Sequence, residues 1–588
     1  MRARIGRCLD DPRWGVPLAL MALAGLCALA FFSQLGGLGL LDKTEGLFVE
    51  VPRQMLLSGD WVTPRWNGQP FFDYPIWGYW MVALSFRLFG ISVWAARLPV
   101  GLAASATVFA LFTLVLLLAP AEEAPRRRLG RALLCATVLC LSPGWIGWGR
   151  TSVTDMFLAS AIGLALFGFA LAAGAPDRPQ LRRIGQASLA LFAGVAVLAK
   201  GPVGLLLPLL VIAAFLLLTG RRRHPWPLRV WLPMAALLLG VVAPWYALAT
   251  VANGSAFLER FLAYSNLQRF AAVIYNHPGP PWFYLPWLLL LLFPWSLYLP
   301  LALSRLRCWR LCSWRQQQDP GLDLALLAAL WLVVVVVFFS AAATKLPGYI
   351  LPALPAAALL VGLLFVPLPG AEPSLTPGRG WRCSGWINAL LLALLALAAV
   401  SLPGWLPQDP ASPGFAAALA ASGAGWGLAV PLLAAALVVV RLLRLGDARA
   451  LQRLWWPNAA GLALGLAVVL PLLVPMVDRE RLRPTRQLAQ RAAALARAQE
   501  PLLVAGYRRY SVVFYARRPV LFVGSAAEAW QGLRAAGASM PASVLVLGSD
   551  SDLLEFGMGP GDGQLLQRRD AHRLVRLPWR DLQRLAGV

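Results

Sequence analysis

Leu41-Asp42-Lys43-Thr44-Glu45-Gly46-Leu47-Phe48-Val49-Glu50-Val51-Pro52-Arg53-Gln54-Met55 and, a few residues on, Gly59-Asp60-Trp61-Val62-Thr63-Pro64-Arg65-Trp66-Asn67-Gly68-Gln69-Pro70-Phe71-Phe72-Asp73-Tyr74-Pro75 make one polar, carboxylate-bearing stretch. It follows directly on an apolar run from Val16 to about Leu38. If such runs cross a membrane, these carboxylates stand at its surface. The fold is decided by what the runs are and which surface this stretch meets.

The composition answers the first point. The chain has 588 residues, 59% hydrophobic and 13% charged, with a mean hydropathy of +0.65. A soluble domain is about a quarter charged. Continuous apolar runs of about 18 residues or more read as membrane helices, and their lack of alternation excludes a barrel. The net charge of +25 belongs to arginines in short loops, a topology signal, so no nucleic-acid partner is implied. Seven cysteines fall in the runs or on the inner side and imply no disulfide framework.

After the first run, others lie near 93–118, 132–149, 154–174, 186–199, 201–219, 229–250, 283–303, 322–341, 346–366, 386–402, 415–440 and 455–476. This predicts about 13 transmembrane helices. The break at Lys200-Gly201-Pro202 is inferred, because 186–219 is too long for one span and Gly-Pro interrupts helices. Alternation places Arg126-Arg127-Arg128, Arg182-Arg183, Arg221-Arg222-Arg223 and Arg441/Arg444 on the side of the N-terminus. By the positive-inside rule that side is cytoplasmic. The chain then divides into a membrane domain, 1–476, including an outer loop 39–92, and a polar segment, 477–588. In the latter Leu502-Leu503-Val504, Val520-Leu521-Phe522-Val523 and Val544-Leu545-Val546-Leu547 read as buried strands between helical stretches. The expected fold class is an all-α polytopic membrane protein with a small C-terminal extracytoplasmic α/β domain.

Ionisable residues at membrane depth are functional candidates. Here they are Asp42, Glu45, Asp73, Arg150, Asp155, Lys200, Arg269, His277 and Lys345. The topology places all of them on the outer side. Residues 45–57 suit an interfacial helix, with Leu47, Phe48, Val51 and Met55 on one face and Glu45, Glu50 and Arg53 away from it. Arg150 and Asp155 flank a turn; they pair with each other, or Asp155 caps the next helix. Lys200, beside a Gly-Pro break, and Arg269, with its bidentate fork, suit phosphate. Lys345 is a further outer cation, with Tyr349 one turn on. Only three histidines exist, which excludes a His-rich metal site but leaves a mixed divalent site using Asp73 and His277. No cofactor is otherwise implied. Cations suit a polyprenyl phosphate; carboxylates suit activation of an acceptor hydroxyl or metal holding. Nothing resembles a nucleotide-binding glycine loop. The competing classes are a transporter or lipid flippase, favoured by repeat symmetry that is not evident, and an inactive scaffold.

Several ordered motifs carry a family likeness. They are Thr44-Glu45, Phe48-Val49-Glu50, Arg53-Gln54-Met55, Gly59-Asp60-Trp61, Pro64-Arg65-Trp66-Asn67-Gly68 and Phe72-Asp73-Tyr74-Pro75. Further on come Trp94-Ala95-Ala96-Arg97-Leu98-Pro99, Thr154-Asp155-Met156, Lys200-Gly201-Pro202, Pro244-Trp245-Tyr246 and Lys345-Leu346-Pro347-Gly348-Tyr349. Together they resemble the GT-C glycosyltransferases that use polyprenyl-phosphate sugars, among them lipid A aminoarabinose transferases and bacterial relatives of protein O-mannosyltransferases. Two positions depart. The family's paired Asp-Glu is Thr44-Glu45, so Asp42 or Glu45 would orient or deprotonate the acceptor. A lysine expected near the donor phosphate is Tyr74. The resemblance implies an inverting transferase at the outer face of the inner membrane, with a lipid, glycan or protein acceptor and membrane lipids around it. Asp73 and Asp155 would support the site or a divalent metal. Lys200, Arg269 and Lys345, with Tyr349 and Arg150, would hold the donor phosphate.

Overall fold

The computed structural model describes residues 12–42, 44–220, 226–261, 272, 277–305, 315, 320–367, 378–535 and 541–588. Among these, ten helices are long and apolar enough to cross a membrane. Two bent pairs would each add one: Pro125–Cys140 with Pro143–Gly149, at 63°, and Pro281–Leu291 with Trp295–Arg305, at 112°. Each apolar run has a helical counterpart, and 154–174 matches helix Thr154–Gly174 to the residue. The shortfall against thirteen lies at 201–219, where helix Val203–Leu218 has 16 residues, below the roughly 20 a span needs. The break before it is real. Gly201, at φ 84, ends helix Pro179–Lys200. The chain then returns so closely that a Cβ on Gly204 would lie 2.3 Å from the Ala196 carbonyl carbon.

The first loop folds into helix Glu45–Ser58, a two-strand hairpin, β1 (Arg65–Trp66) and β2 (Gln69–Pro70), and helix Trp77–Phe89. Asn67 and Gly68 turn the hairpin with φ of 53° and 82°, the doubly left-handed turn that Asn-Gly favours. The expectation of a helix with one polar face in water is corrected. Glu45 and Glu50 are 0% exposed and Arg53 7%. The C-terminal domain packs on this helix, where a Cβ on Gly46 would stand 2.5 Å from the Ser511 nitrogen, while Glu45 is enclosed by Arg97, Leu41 and Ser152. The buried charges are paired instead of solvated. Arg53 grips both oxygens of Glu50, at 2.7 and 2.6 Å.

The last span, Trp455–Val477, runs on through Asp478–Leu482 into helix Arg483–Leu495, so the change in composition at Val477 falls inside a continuous helical segment. Beyond it stand β3 (Leu502–Ala505), β4 (Val520–Val523), β5 (Ser543–Ser549), β6 (Gln564–Arg569) and β7 (His572–Pro578) in the order β4-β3-β5-β7-β6. β4, β3 and β5 run parallel; β7 and β6 are antiparallel to their neighbours. The first three are the strands expected from their apolar runs. The β6–β7 hairpin was not foreseen, because its half-exposed residues are largely arginine and glutamine.

The domain sits on the first loop through specific bonds. The Asn67 side chain donates to the Val520 carbonyl at 2.8 Å and accepts from its N–H at 2.9 Å, taking the place of a neighbouring strand along the edge of β4. The Leu40 N–H donates to the Tyr515 hydroxyl, 2.9 Å, and the Gly39 N–H to Asp478, 2.8 Å, which Arg486 holds from the other side. Trp66 stacks at 6.1 Å on Phe522 and meets Tyr510 edge-on at 5.1 Å.

Candidate active site

Helix Thr154–Gly174 starts where helix Pro179–Lys200 ends, on the first-loop side. This brings Asp155 and Lys200 into an ion pair whose side chains are 19% and 12% exposed. The Lys200 ammonium also lies 4.6 Å from the centre of the Tyr349 ring, presented by the short helix Pro347–Ala353. The pair departs from both expectations for Asp155: it does not pair with Arg150, and it lies in the first turn of its helix, whose N-cap is Val153 with no side-chain cap bond. Arg150 instead donates to the carbonyls of Ala30 and Ser33 at the end of the first span, so its guanidinium closes a helix terminus.

Asp73 accepts from the Arg260 Nε at 3.0 Å; its side chain is 11% exposed and that of Arg260 47%. An aromatic wall stands beside it: Phe48 meets Tyr74 edge-on at 4.9 Å and Tyr79 at 6.1 Å. Trp245 donates to the Val62 carbonyl, 3.0 Å, and Trp80 to that of Trp61, 2.8 Å, pinning the loop over this wall.

The two candidate bases are both engaged. Glu45 accepts from the Arg97 Nε and Nη2 at 2.7 and 2.6 Å, and from the Leu41 and Ser152 N–H groups, each at 2.9 Å. Arg97, 3% exposed, spends its remaining donors on the carbonyls of Leu35, Leu38 and Gly39. One buried pair thus ties together the exit of the first span, the loop helix and the turn that carries Asp155. Asp42 accepts from the Ser511 N–H at 3.0 Å. Burial lifts its carboxyl above the usual range, against the lowering pull of Ser511 and Arg509.

Lys345 is 5% exposed. Its ammonium lies 2.8 and 2.7 Å from the Ser340 and Ala342 carbonyls at the end of helix Pro320–Ala341. Arg269 lies outside the described residues. His277 is exposed, and its carbonyl accepts from the Lys345 N–H at 3.0 Å. Among the described residues no three His, Cys, Asp or Glu side chains converge as a metal would require. Among the described residues, the donors near Asp73, whose carboxylate meets the Arg260 guanidinium, do not make up a divalent-ion site.

Sequence reasoning missed Arg97 as an anchor. Its signal was available: an arginine near the start of an otherwise apolar helix, Val93–Leu117, needs a buried partner. It also missed the buried hydroxyls that make no hydrogen bond among the described residues, those of Tyr79 and Thr154 among them, which no composition signal marks.

A family model described as dolichyl-phosphate-mannose-protein mannosyltransferase matches residues 73–248. One described as the C-terminal domain of cyanobacterial RgtA-type glycosyltransferase matches residues 495–588. An undecaprenyl phosphate-α-4-amino-4-deoxy-L-arabinose arabinosyl transferase of Pseudomonas paraeruginosa is 34% identical over 365 residues, 62% of this chain and 61% of its own length. The chain therefore spans about three fifths of that relative. Arabinosyl transferase 1 of Pseudomonas fluorescens is 30% identical over 494 residues, 82% of this chain and 79% of its own length. The crystal structure of ArnT from Cupriavidus metallidurans bound to undecaprenyl phosphate superposes with a TM-score of 0.74 at 24% identity, covering 95% of this chain and 97% of that one, which establishes a shared fold. Motifs, fold and relatives agree: the chain belongs to the GT-C family of polyprenyl-phosphate-sugar glycosyltransferases, to which the undecaprenyl phosphate-aminoarabinose transferases also belong.

Proposed function

We propose that the protein moves a sugar from a polyprenyl monophosphate to a lipid acceptor, at the outer face of the inner membrane, with inversion at the anomeric carbon. The observation that carries this reading is the Lys200–Asp155 pair beneath the Tyr349 ring, at the mouth of the helices and under the first loop. Before the donor binds, Asp155 neutralises Lys200. A donor phosphate competes for the ammonium and gains a charge-assisted bond in a low-dielectric place, where such bonds are strong. In the transfer step the bond between the anomeric carbon and the phosphate oxygen breaks, its electron pair leaves on the phosphate, and an acceptor oxygen forms the new bond. The leaving phosphate needs no proton.

The acceptor side is narrower than the motifs suggested. Asp42, Glu45, Asp73 and Asp155 each already accept from an N–H or a cation. That supports an acceptor oxygen that arrives ionised, as on a lipid phosphate, with the carboxylates positioning and not abstracting. Asp42 and Glu45 then hold the loop; Asp73 and Asp155 face the substrates. Arg269 remains a candidate phosphate ligand. The relatives' names make an aminopentose on undecaprenyl phosphate the first donor to test.

Purified protein in lipid nanodiscs, given that donor and a phosphorylated lipid acceptor, should release undecaprenyl phosphate and add the sugar mass to the acceptor. Lys200→Met and Asp155→Asn should each lower the rate by about 100-fold or more while leaving the melting temperature within a few degrees. Failure of the wild-type protein with every polyprenyl-phosphate sugar supplied would refute the reading and return transport or a scaffold role to consideration.

A further inference from the structure

Among the buried hydroxyls of the described residues that make no hydrogen bond, two lie on the adjoining helices Trp77–Phe89 and Thr154–Gly174, which follow Asp73 and carry Asp155. Tyr79 is 1% exposed and Thr154 2%, and neither the Tyr79 hydroxyl nor the Thr154 Oγ1 makes a hydrogen bond. A buried hydroxyl left unpaired costs folding free energy, and a phenylalanine or a valine would fill the same space without that cost. The two come from elements in direct contact: a Cβ on Gly78 would lie 3.3 Å from the Phe157 ring and 3.6 Å from the Thr154 Cγ2. Tyr79 is within electrostatic reach of Tyr74 and Asp73 and packs with Val153 and Leu198, the neighbours of Thr154 and of the turn before Lys200. Thr154 precedes Asp155 in the chain.

We infer that Tyr79 and Thr154 form the subsite that recognises the sugar ring of the donor, reading its hydroxyl or amino substituents. This rests on the proposed transfer reaction. In a polyprenyl-phosphate sugar the ring is bonded directly to the phosphate. A phosphate on Lys200 therefore brings the ring towards Tyr74, which lies within electrostatic reach of Lys200 and joins Phe48 and Tyr79 in the aromatic wall. A hydroxyl both donates and accepts, which suits the mixed donor and acceptor edge of a sugar and not a phosphate, for which cations serve better. An apolar ring face against aromatic side chains completes the fit.

The test is a chemical double-mutant cycle on the full-length protein in nanodiscs. Wild type, Tyr79→Phe and Thr154→Val are each assayed with the intact donor and with donors lacking one ring substituent at a time. For the intact donor, kcat/KM should fall about tenfold in each variant, as expected for one lost hydrogen bond. For the donor missing the partner substituent, wild type and variant should be equal. Affinity for undecaprenyl phosphate without a sugar should not change in either variant, and the melting temperature should hold or rise. Variants that match wild type on every donor, or that lose activity equally on all of them, overturn the subsite while leaving the transfer reaction standing. A wild-type protein that turns over no donor overturns both.

Discussion

Glu45, in the first loop, and Arg97, near the start of helix Val93–Leu117, form a buried pair that holds the outer architecture together. Both are buried, and between them they close bonds to Leu35, Leu38, Gly39, Leu41 and Ser152. Breaking a buried ion pair by removing one partner costs about 3–5 kcal/mol, because the remaining charge is stranded. Arg97→Met should therefore lower the unfolding free energy by roughly that amount, and Glu45→Gln, which keeps the shape, by somewhat less. Thermal unfolding in nanodiscs, with transfer measured alongside, decides between anchor and base. A Glu45→Gln protein of wild-type stability that has lost all transfer would restore the base role expected from the motif. The residue types of this site were legible in the sequence, since charges in apolar surroundings stand out. Their partners were not. Lys200 meets Asp155 and Arg150 meets the first span only through tertiary packing, and a carboxylate looks the same in a sequence whether it faces a substrate or an arginine.

At the scale of elements the hairpin at Asn67 is the clearest case of a local signal with a distant use. The Asn-Gly pair marks a tight turn from sequence alone. Its second role, closing the open edge of β4 with a side-chain amide, links positions 453 residues apart and leaves no local trace. An exposed strand edge is a liability, and here one residue covers it. Asn67→Gly keeps the left-handed turn and removes both bonds. It should weaken docking by about 1–3 kcal/mol, read as faster hydrogen exchange in β4 with little change in β5. Unchanged exchange would show that the aromatic contacts of Trp66 suffice. The helix Glu45–Ser58 teaches the same lesson from the other side. Its boundaries followed from periodicity, but its burial did not, because distant segments enclose it: Arg97 and Ser152 at Glu45, and Ser511 at Gly46; β6 and β7 escaped notice because their exposed faces are polar.

Over the whole molecule, the C-terminal domain is a clamp on the loop that shapes the site, so what loosens that domain should loosen the site. His572, on β7, is 1% exposed, and neither ring nitrogen has a partner. Burial and the nearby Arg509 push its pKa down to about 4, against the opposing pull of Asp552, Asp570 and Asp550. A histidine that stays neutral when folded but protonates when unfolded contributes stability that is fully present above about 6.5. That stability drains away as the pH falls towards 4, and below both values the loss is complete. A shift of about two and a half units corresponds to about 3 kcal/mol. Asp42 acts with the opposite sign: its raised pKa favours the folded state in acid, and that contribution is lost as the pH rises through the folded value. Both groups meet the loop that carries Arg509, Tyr510 and Ser511: the Ser511 N–H donates to Asp42, and the Arg509 charge bears on His572. The expected outcome is that the protection factors of β7 and β5 amides in the full-length protein, taken relative to the intrinsic exchange rate at each pH, fall between about pH 6.5 and about pH 4. His572→Phe should flatten that dependence by most of the 3 kcal/mol, and Asp42→Asn should leave it in place. A His572→Phe protein with the same pH profile as wild type would move the acid sensitivity to another group.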